Sequence, residues 1–344
     1  MEKRKLSVLI GSVCLVLVLV TFSFTCVSAP EAAPKKTVWR LQSAMSATYP
    51  WVLKYKDWAN EVKKRTNGEL EIGIYPAAGL GLKPSEILIP VKDGVLEAAE
   101  VVSSYVAGEF PEMGAVEIPF LIKSYSDCFK VFKALRPDLN KWLEQRYNSL
   151  GLAYWLSPSV EIYTKKPITD IEDLKGLKLR TYSWTLARST ELLGAVPTSI
   201  TGDELYMALK RGALDGAWTG HSTAVAYKFW EVLNYTTTNM EHSYCLWSIV
   251  VNKDKFDALP SHVKKVVRET VPKLEDDCQA IAKASGVEGL RTLEKNGMKG
   301  RAVGPEVRGE MVKRMSVLWD EWAKKCGAEG PRLIETIKRI GGSM

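Results

Sequence analysis

The chain is poor in the residues and local motifs that nucleotide, metal or redox chemistry requires. Only three histidines occur in 344 residues: His221, His242 and His262. They stand about 20 residues apart, without metal-ligand spacing. No H-E-x-x-H and no G-x-x-x-x-G-K-[ST] is present, and Gly79-Leu80-Gly81 runs into Leu82-Lys83-Pro84, so G-x-G-x-x-G is absent as well. There is no G-x-S-x-G elbow and no acidic loop of EF-hand type. No C-x-x-C pair occurs, which argues against a zinc ribbon or a dithiol redox motif. Basic residues exceed acidic ones by 47 to 40, a formal charge of +7, with no run of five. A nucleic-acid partner would show a clustered basic footprint, so none is expected. No cofactor and no metal is expected either.

What is present describes a globular chain. Hydrophobic residues make up 46% and charged residues 25%, and the length fits two lobes at about 150 residues per domain. Eleven tryptophans and thirteen tyrosines are a surplus of rings. Rings beside polar residues in loops can line a binding cleft, and rings also fill cores; both readings stay open.

Residues 1–30 read as an address. Lys3-Arg4-Lys5 is followed by an almost uninterrupted apolar stretch from Leu6 to Phe24 and by small residues at Ser28, Ala29, Ala32 and Ala33. That order is the pattern of a secretory signal peptide and predicts a periplasmic protein, an uncleaved anchor being the lesser alternative. Cys128, Cys245, Cys278 and Cys326 then remain. One or two disulfides, or four buried thiols, are equally compatible with their wide spacing.

Downstream, strands and helices alternate. Val38–Gln42 reads as a strand, and Tyr49–Arg65 as an amphipathic helix with Val52, Tyr55, Trp58, Ala59 and Val62 at helical spacing. Leu70, Ile72 and Ile74 alternate as a second strand, and Val95–Val102 forms a third. The pattern restarts at 176–219, and the last third is helical. A βαβ order of this kind predicts α/β layers around largely parallel sheets. One segment repeats: Val91-Lys92-Asp93-Gly94-Val95-Leu96-Glu97-Ala98-Ala99 is echoed by Leu209-Lys210-Arg211-Gly212-Ala213-Leu214-Asp215-Gly216-Ala217. In both, a helix is expected to end at the glycine and a strand to begin two residues later. Two lobes of like construction follow: one from 34–157 plus about 246–285, the other from 158–245 plus about 286–344.

Several segments in family order resemble one group of proteins. They are Trp58-Ala59-Asn60-Glu61-Val62, Thr66-Asn67-Gly68-Glu69-Leu70, Tyr75-Pro76-Ala77-Ala78-Gly79-Leu80-Gly81 and Ile118-Pro119-Phe120-Leu121. Leu174-Lys175-Gly176-Leu177-Lys178-Leu179-Arg180, Leu193-Gly194-Ala195-Val196-Pro197, the 208–216 segment and Val251-Asn252-Lys253-Asp254 complete the set. Together they are similar to the exported solute-binding proteins of TRAP (tripartite ATP-independent periplasmic) transporters, the DctP-type family. The resemblance implies a two-lobe α/β periplasmic-binding-protein-like fold with a hinge and a long helix spanning both lobes. It also implies a small organic acid as ligand, TRAP membrane subunits as partner, and no catalysis; a monomer is expected. A ligand-sensing module for a signalling receptor is the alternative, an exported enzyme a more remote one.

The resemblance also implies the site. Arg180, in the family's G-L-K-x-R position, would form a bidentate pair with the ligand carboxylate, which a planar guanidinium allows and an ammonium does not. Thr219 stands where many relatives carry a nearby Asn, and Trp218 beside it is a candidate to stack on the ligand body. Glu161 falls where some relatives carry a second Arg; it would oppose a dicarboxylate and suit an ammonium, or else be a plain strand carboxylate. Tyr105, Glu100, Tyr49, Trp184 and His221 are further candidates around the cleft. Trp155 and Trp247 read as core or hinge packing.

Overall fold

The computed structural model describes residues 36–200 and 202–342. The expected signal peptide lies outside the described residues. The 36–342 segment holds two sheets and their helices in one compact unit.

The first sheet has the order β2-β1-β3-β10-β4. Its strands are β1 (Thr37–Gln42), β2 (Leu70–Tyr75), β3 (Ala98–Val102), β4 (Ser149–Ser157) and, returning much later, β10 (Cys245–Asn252). The second sheet has the order β11-β9-β5-β8-β6-β7. It is made of β5 (Glu161–Thr164), β6 (Lys178–Thr181), β7 (Val196–Ser199), β8 (Gly216–Thr219), β9 (Tyr235–Thr238) and β11 (Lys299–Ala302). The expectation of largely parallel sheets needs correcting. Each sheet contains one reversed strand, β10 pairing antiparallel with β3 and β4, and β5 with β8 and β9. Both reversed strands are the ones the chain enters directly from the other sheet: β5 follows β4, and β10 follows β9. A strand entered without a crossover helix arrives antiparallel.

The helices are α1 (Pro50–Arg65), α2 (Leu88–Lys92), α3 (Ser103–Val106), α4 (Tyr125–Tyr147), α5 (Trp184–Leu192) and α6 (Gly202–Lys210). Then come α7 (His221–Ala226), α8 (Lys253–Asp257), α9 (Ser261–Lys295), α10 (Pro305–Met315), α11 (Val317–Lys325) and α12 (Gly330–Gly341). Helix α9 serves both sheets. Its early turns pack Val263, Val267, Val271 and Leu274 into the cluster that holds Trp39, Trp51 and Tyr55. Near its end, Leu293 joins the cluster of Tyr163, Ala217 and Phe229 on the second sheet. Small residues let it fit there: a Cβ on Gly289 would meet His221 Cβ at 2.7 Å, and one on Gly286 would meet Pro158 at 3.1 Å. The chain's end does not stay with the second sheet as expected. Trp322, Leu333 and Ile337 are buried in the same cluster as Leu135 and Leu139 of α4 and Val101 of β3.

The internal echo is structural. Gly94 and Gly212 both take φ near +70° (68° and 73°), each just past a helix that ends at Lys92 or Lys210. β3 and β8 then begin four residues beyond the glycine rather than two, after one further turn of irregular chain. All four cysteines after residue 36 are free and buried, so of the two open readings the thiols stand, and burial raises the pKa of each. Alkylating the protein without reductant is therefore expected to leave Cys128, Cys245, Cys278 and Cys326 unlabelled under native conditions. In denaturant all four should be labelled, as mass spectrometry of the peptides would report.

Candidate ligand-binding site

The site is built on β6. Side chains alternate across a strand, and Leu179 enters the cluster around Trp218 and Leu186. Arg180 therefore faces the other way, at the carboxyl end of a strand flanked in parallel by β7 and β8. The residue is 4% exposed. Nε donates to the Ile200 carbonyl and Nη1 to the Trp218 carbonyl, both at 3.3 Å, and the ring of Tyr182 lies 4.5 Å away. The groups acting on its charge are the hydroxyls of Tyr105, Tyr182 and Tyr227; burial is the larger influence and pulls its pKa below the ordinary value. Among the described residues no carboxylate pairs with it. Other arginines of this chain do find acids: Arg40 with Glu97 at 2.9 Å, Arg136 with Glu275 at 2.7 Å, Arg146 with Glu112 at 2.9 Å. Burying a lone cation costs several kcal/mol in effective terms, so a buried guanidinium with two carbonyl contacts at 3.3 Å, a tyrosine ring and no acid is a candidate anion site.

The first sheet supplies the facing side. α3 begins where β3 ends, which sets Tyr105 toward Arg180; its hydroxyl is acted on by Arg180, Cys245, Glu100 and Tyr49, and burial raises its pKa. Tyr49, the residue before α1, donates to Ser222 Oγ of α7 at 3.3 Å and meets Trp51 edge-on at 5.0 Å. Sequence reasoning did not single out Tyr182, Tyr227 or Ser222. Tyr182 had a signal, since it is two residues past Arg180 and strand alternation returns it to the same side.

Other candidates are placed elsewhere. Glu100 is buried, with its oxygens taken by the Tyr55 hydroxyl at 2.5 Å and the Ala44 amide at 3.2 Å. Glu161 pairs in register with Thr219, and both are buried. It accepts from Thr237 at 2.6 Å and from the Met240 amide, which ties it to the β9–β10 crossover. Two of the expected site residues, Trp218 and His221, are placed in packing roles. Trp218 is fully buried, donating to Thr190 at 2.9 Å with its ring 4.6 Å from that of His242, so it packs the core while its carbonyl serves Arg180. Trp184 lies under Lys325, 4.8 Å from ring centre to Nζ. His221 has Nδ1 2.5 Å from the Tyr163 hydroxyl and its Cβ against Gly289. Burial lowers its pKa to about 4, so it is a neutral packing residue at the start of α7.

Against known proteins, the model of the DctP family, described as bacterial extracellular solute-binding protein family 7, matches residues 41–325. The chain belongs to this family. Among solved structures it is similar to DctP7, a Bordetella pertussis extracytoplasmic solute receptor binding pyroglutamic acid. They share 29% identity and a TM-score of 0.82 over 88% of this chain and 99% of that one. A marine metagenome TRAP solute-binding protein specific for pyroglutamate is 27% identical, with a TM-score of 0.81 over 89% of this chain and 99% of its own. The C4-dicarboxylate-binding periplasmic protein DctP of Rhodobacter capsulatus is 26% identical over 273 residues, 78% of this chain and 80% of that protein.

In this DctP-family chain Glu100 and Glu161, both buried, share one electrostatic condition. Burial pushes Glu100 up to about 7 and Glu161 up to about 8, against an ordinary 4.5. The folded state thus holds protons that the unfolded state releases above pH 4.5. Stability from these groups is fully present below that pH and is lost as pH rises through 7 to 8. Chemical denaturation from pH 5 to pH 9 should show this decline. In Glu161→Gln the decline should shrink by on the order of 1–3 kcal/mol; an unchanged slope would show that Glu161 does not titrate as its burial implies.

Proposed function

We propose that this protein is an extracytoplasmic receptor that captures a small organic acid as its carboxylate and delivers it to TRAP membrane subunits, without catalysing a reaction. The buried guanidinium of Arg180, left without an acid of its own, carries this reading. Relatives above 25% identity bear the names of pyroglutamate and C4-dicarboxylate receptors, and what those ligands share is a carboxylate. The planar fork of Arg180 fits its two oxygens, and Tyr49, Tyr105 and Tyr182 stand around that point.

The lobes of the receptor are the two sheets with their helices. Residues 34–157 and about 246–285 form the first, and 158–245 with part of 286–344 form the second. The short crossovers 158–160 and 239–244 are the hinge, and α9 is the strut that keeps the lobes in register. Closure brings Tyr49 to Ser222 and Tyr105 toward Arg180, excludes water and so strengthens the charge pairing. Residues 1–30 export the chain to the periplasm, in keeping with relatives named as periplasmic proteins. No described helix is long and apolar enough to cross a membrane.

Calorimetric titration of the purified protein with a panel of small organic acids identifies the ligand. Arg180→Ala should then weaken its binding by about 30- to 1,000-fold, the usual range for removing one partner of a buried charge pair. Arg180→Lys should rescue little of this, because an ammonium cannot form the fork. Wild-type affinity in either variant would show that Arg180 is not the anchor.

A further inference from the structure

A second polar group surrounds the start of α3, next to Tyr105, and the anchor does not use it. α3 opens with Ser103 and Ser104, directly before Tyr105. Ser103 Oγ accepts from the Leu246 amide at 3.0 Å and donates to Glu117 Oε1; Ser104 Oγ lies 3.3 Å from Cys245 Sγ. Glu117 ends the short helical turn Pro111–Glu117 and is buried. Glu112 in the same turn is equally buried but is ion-paired with Arg146 at 2.9 Å. Glu117 has only the two serine hydroxyls and the Cys245 thiol as side-chain partners. Among the described residues no cation pairs with it. Tyr182 links the two groups, since Glu117 and Cys245 act on its hydroxyl from one sheet and Arg180 from the other.

Around Tyr105 and Tyr182 the fold thus gathers one cation, Arg180, and one carboxyl, Glu117, neither of which has an opposite charge among the described residues. We propose that Glu117, with Ser103, Ser104 and Cys245, is the specificity wall of the Arg180 pocket, admitting acids whose far end is a neutral N–H or O–H donor and rejecting a second carboxylate. The inference rests on Arg180 as the carboxylate anchor. A ligand's first carboxylate takes the guanidinium. A second would meet a carboxyl oxygen and hydroxyls, with no further cation to offset its desolvation. An ionised Glu117 repels it outright, and a neutral Glu117 offers no opposite charge. An amide, a lactam or a hydroxyl instead donates to a carboxyl lone pair that Ser103, Ser104 and Cys245 leave free. Discrimination of this kind comes from what the wall refuses as much as from what it binds.

Two matched pairs test this by calorimetric titration of the purified protein: succinamate against succinate, and pyroglutamate against glutarate. The neutral-ended member of each pair should bind about tenfold tighter or better, and Glu117→Gln, which keeps the shape and removes the acid, should bring the members of each pair close to equal affinity. Equal affinity within each pair for the wild-type protein overturns the proposal, whether or not the variant folds. So does a full preference retained in folded Glu117→Gln, and so does failure of both neutral-ended acids to bind. Failure of the anchor itself looks different: both members of each pair would then bind Arg180→Ala as they bind the wild-type protein.

Discussion

A guanidinium held in the interior without an acid is the interaction on which this structure turns. Arg180 is buried beside β7 and β8, held by two backbone carbonyls and faced by tyrosine rings. Elsewhere the chain pairs buried or half-buried charges: Glu112 meets Arg146, and Arg136 meets Glu275. A fold that pairs these charges and leaves a buried cation open has sacrificed stability there. Binding sites are where such a sacrifice is expected. In the function proposed, a ligand's carboxylate restores the balance, so the free energy withheld from folding becomes available to binding.

The architecture exists to place that charge against a second surface. Two sheets of like construction are joined by crossovers short enough that β5 and β10 each enter the opposite sheet reversed. Helix α9 packs on the first sheet through its valines and on the second through Leu293 and the close approach of Gly289 to His221. Tyr49, Tyr105 and Ser104 come from the first sheet's strand ends; Arg180, Tyr182 and Ser222 come from the second. Each sheet thus carries half of a site that is complete only when both face each other. Glu161, held by Thr237 and the Met240 amide, stands at a crossover instead, and this explains why an acid at that strand position neither pairs with Arg180 nor opposes it.

Much of this was legible in the sequence, for identifiable reasons. Helical spacing located α1, and Gly94 and Gly212 marked two equivalent helix ends, because a left-handed residue leaves a visible glycine. Arg180 was singled out because its G-L-K-x-R segment resembles the family's, and the structure places it buried at the end of β6. The reversed strands were not, since parallel and antiparallel partners share the same alternation. Trp218 was misread because an aromatic beside a binding strand looks the same facing in or out; only its bond to Thr190 decides. His221 was misread likewise, its ring being bound to Tyr163, 58 positions away in the chain. Glu117 carried no signal at all: a single acid before Ile118-Pro119 reads as ordinary surface until Ser103, Ser104 and Cys245 are seen around it.

If Arg180 exists for the ligand and not for the fold, replacing it with an uncharged chain of similar length should not harm the ligand-free protein. The decisive measurement is the thermal unfolding of Arg180→Met and wild type, both without ligand. The account predicts an equal or higher melting temperature for Arg180→Met, because a buried uncompensated charge has been removed. A melting temperature several degrees lower would show that the guanidinium is a structural tie, and would contradict the account.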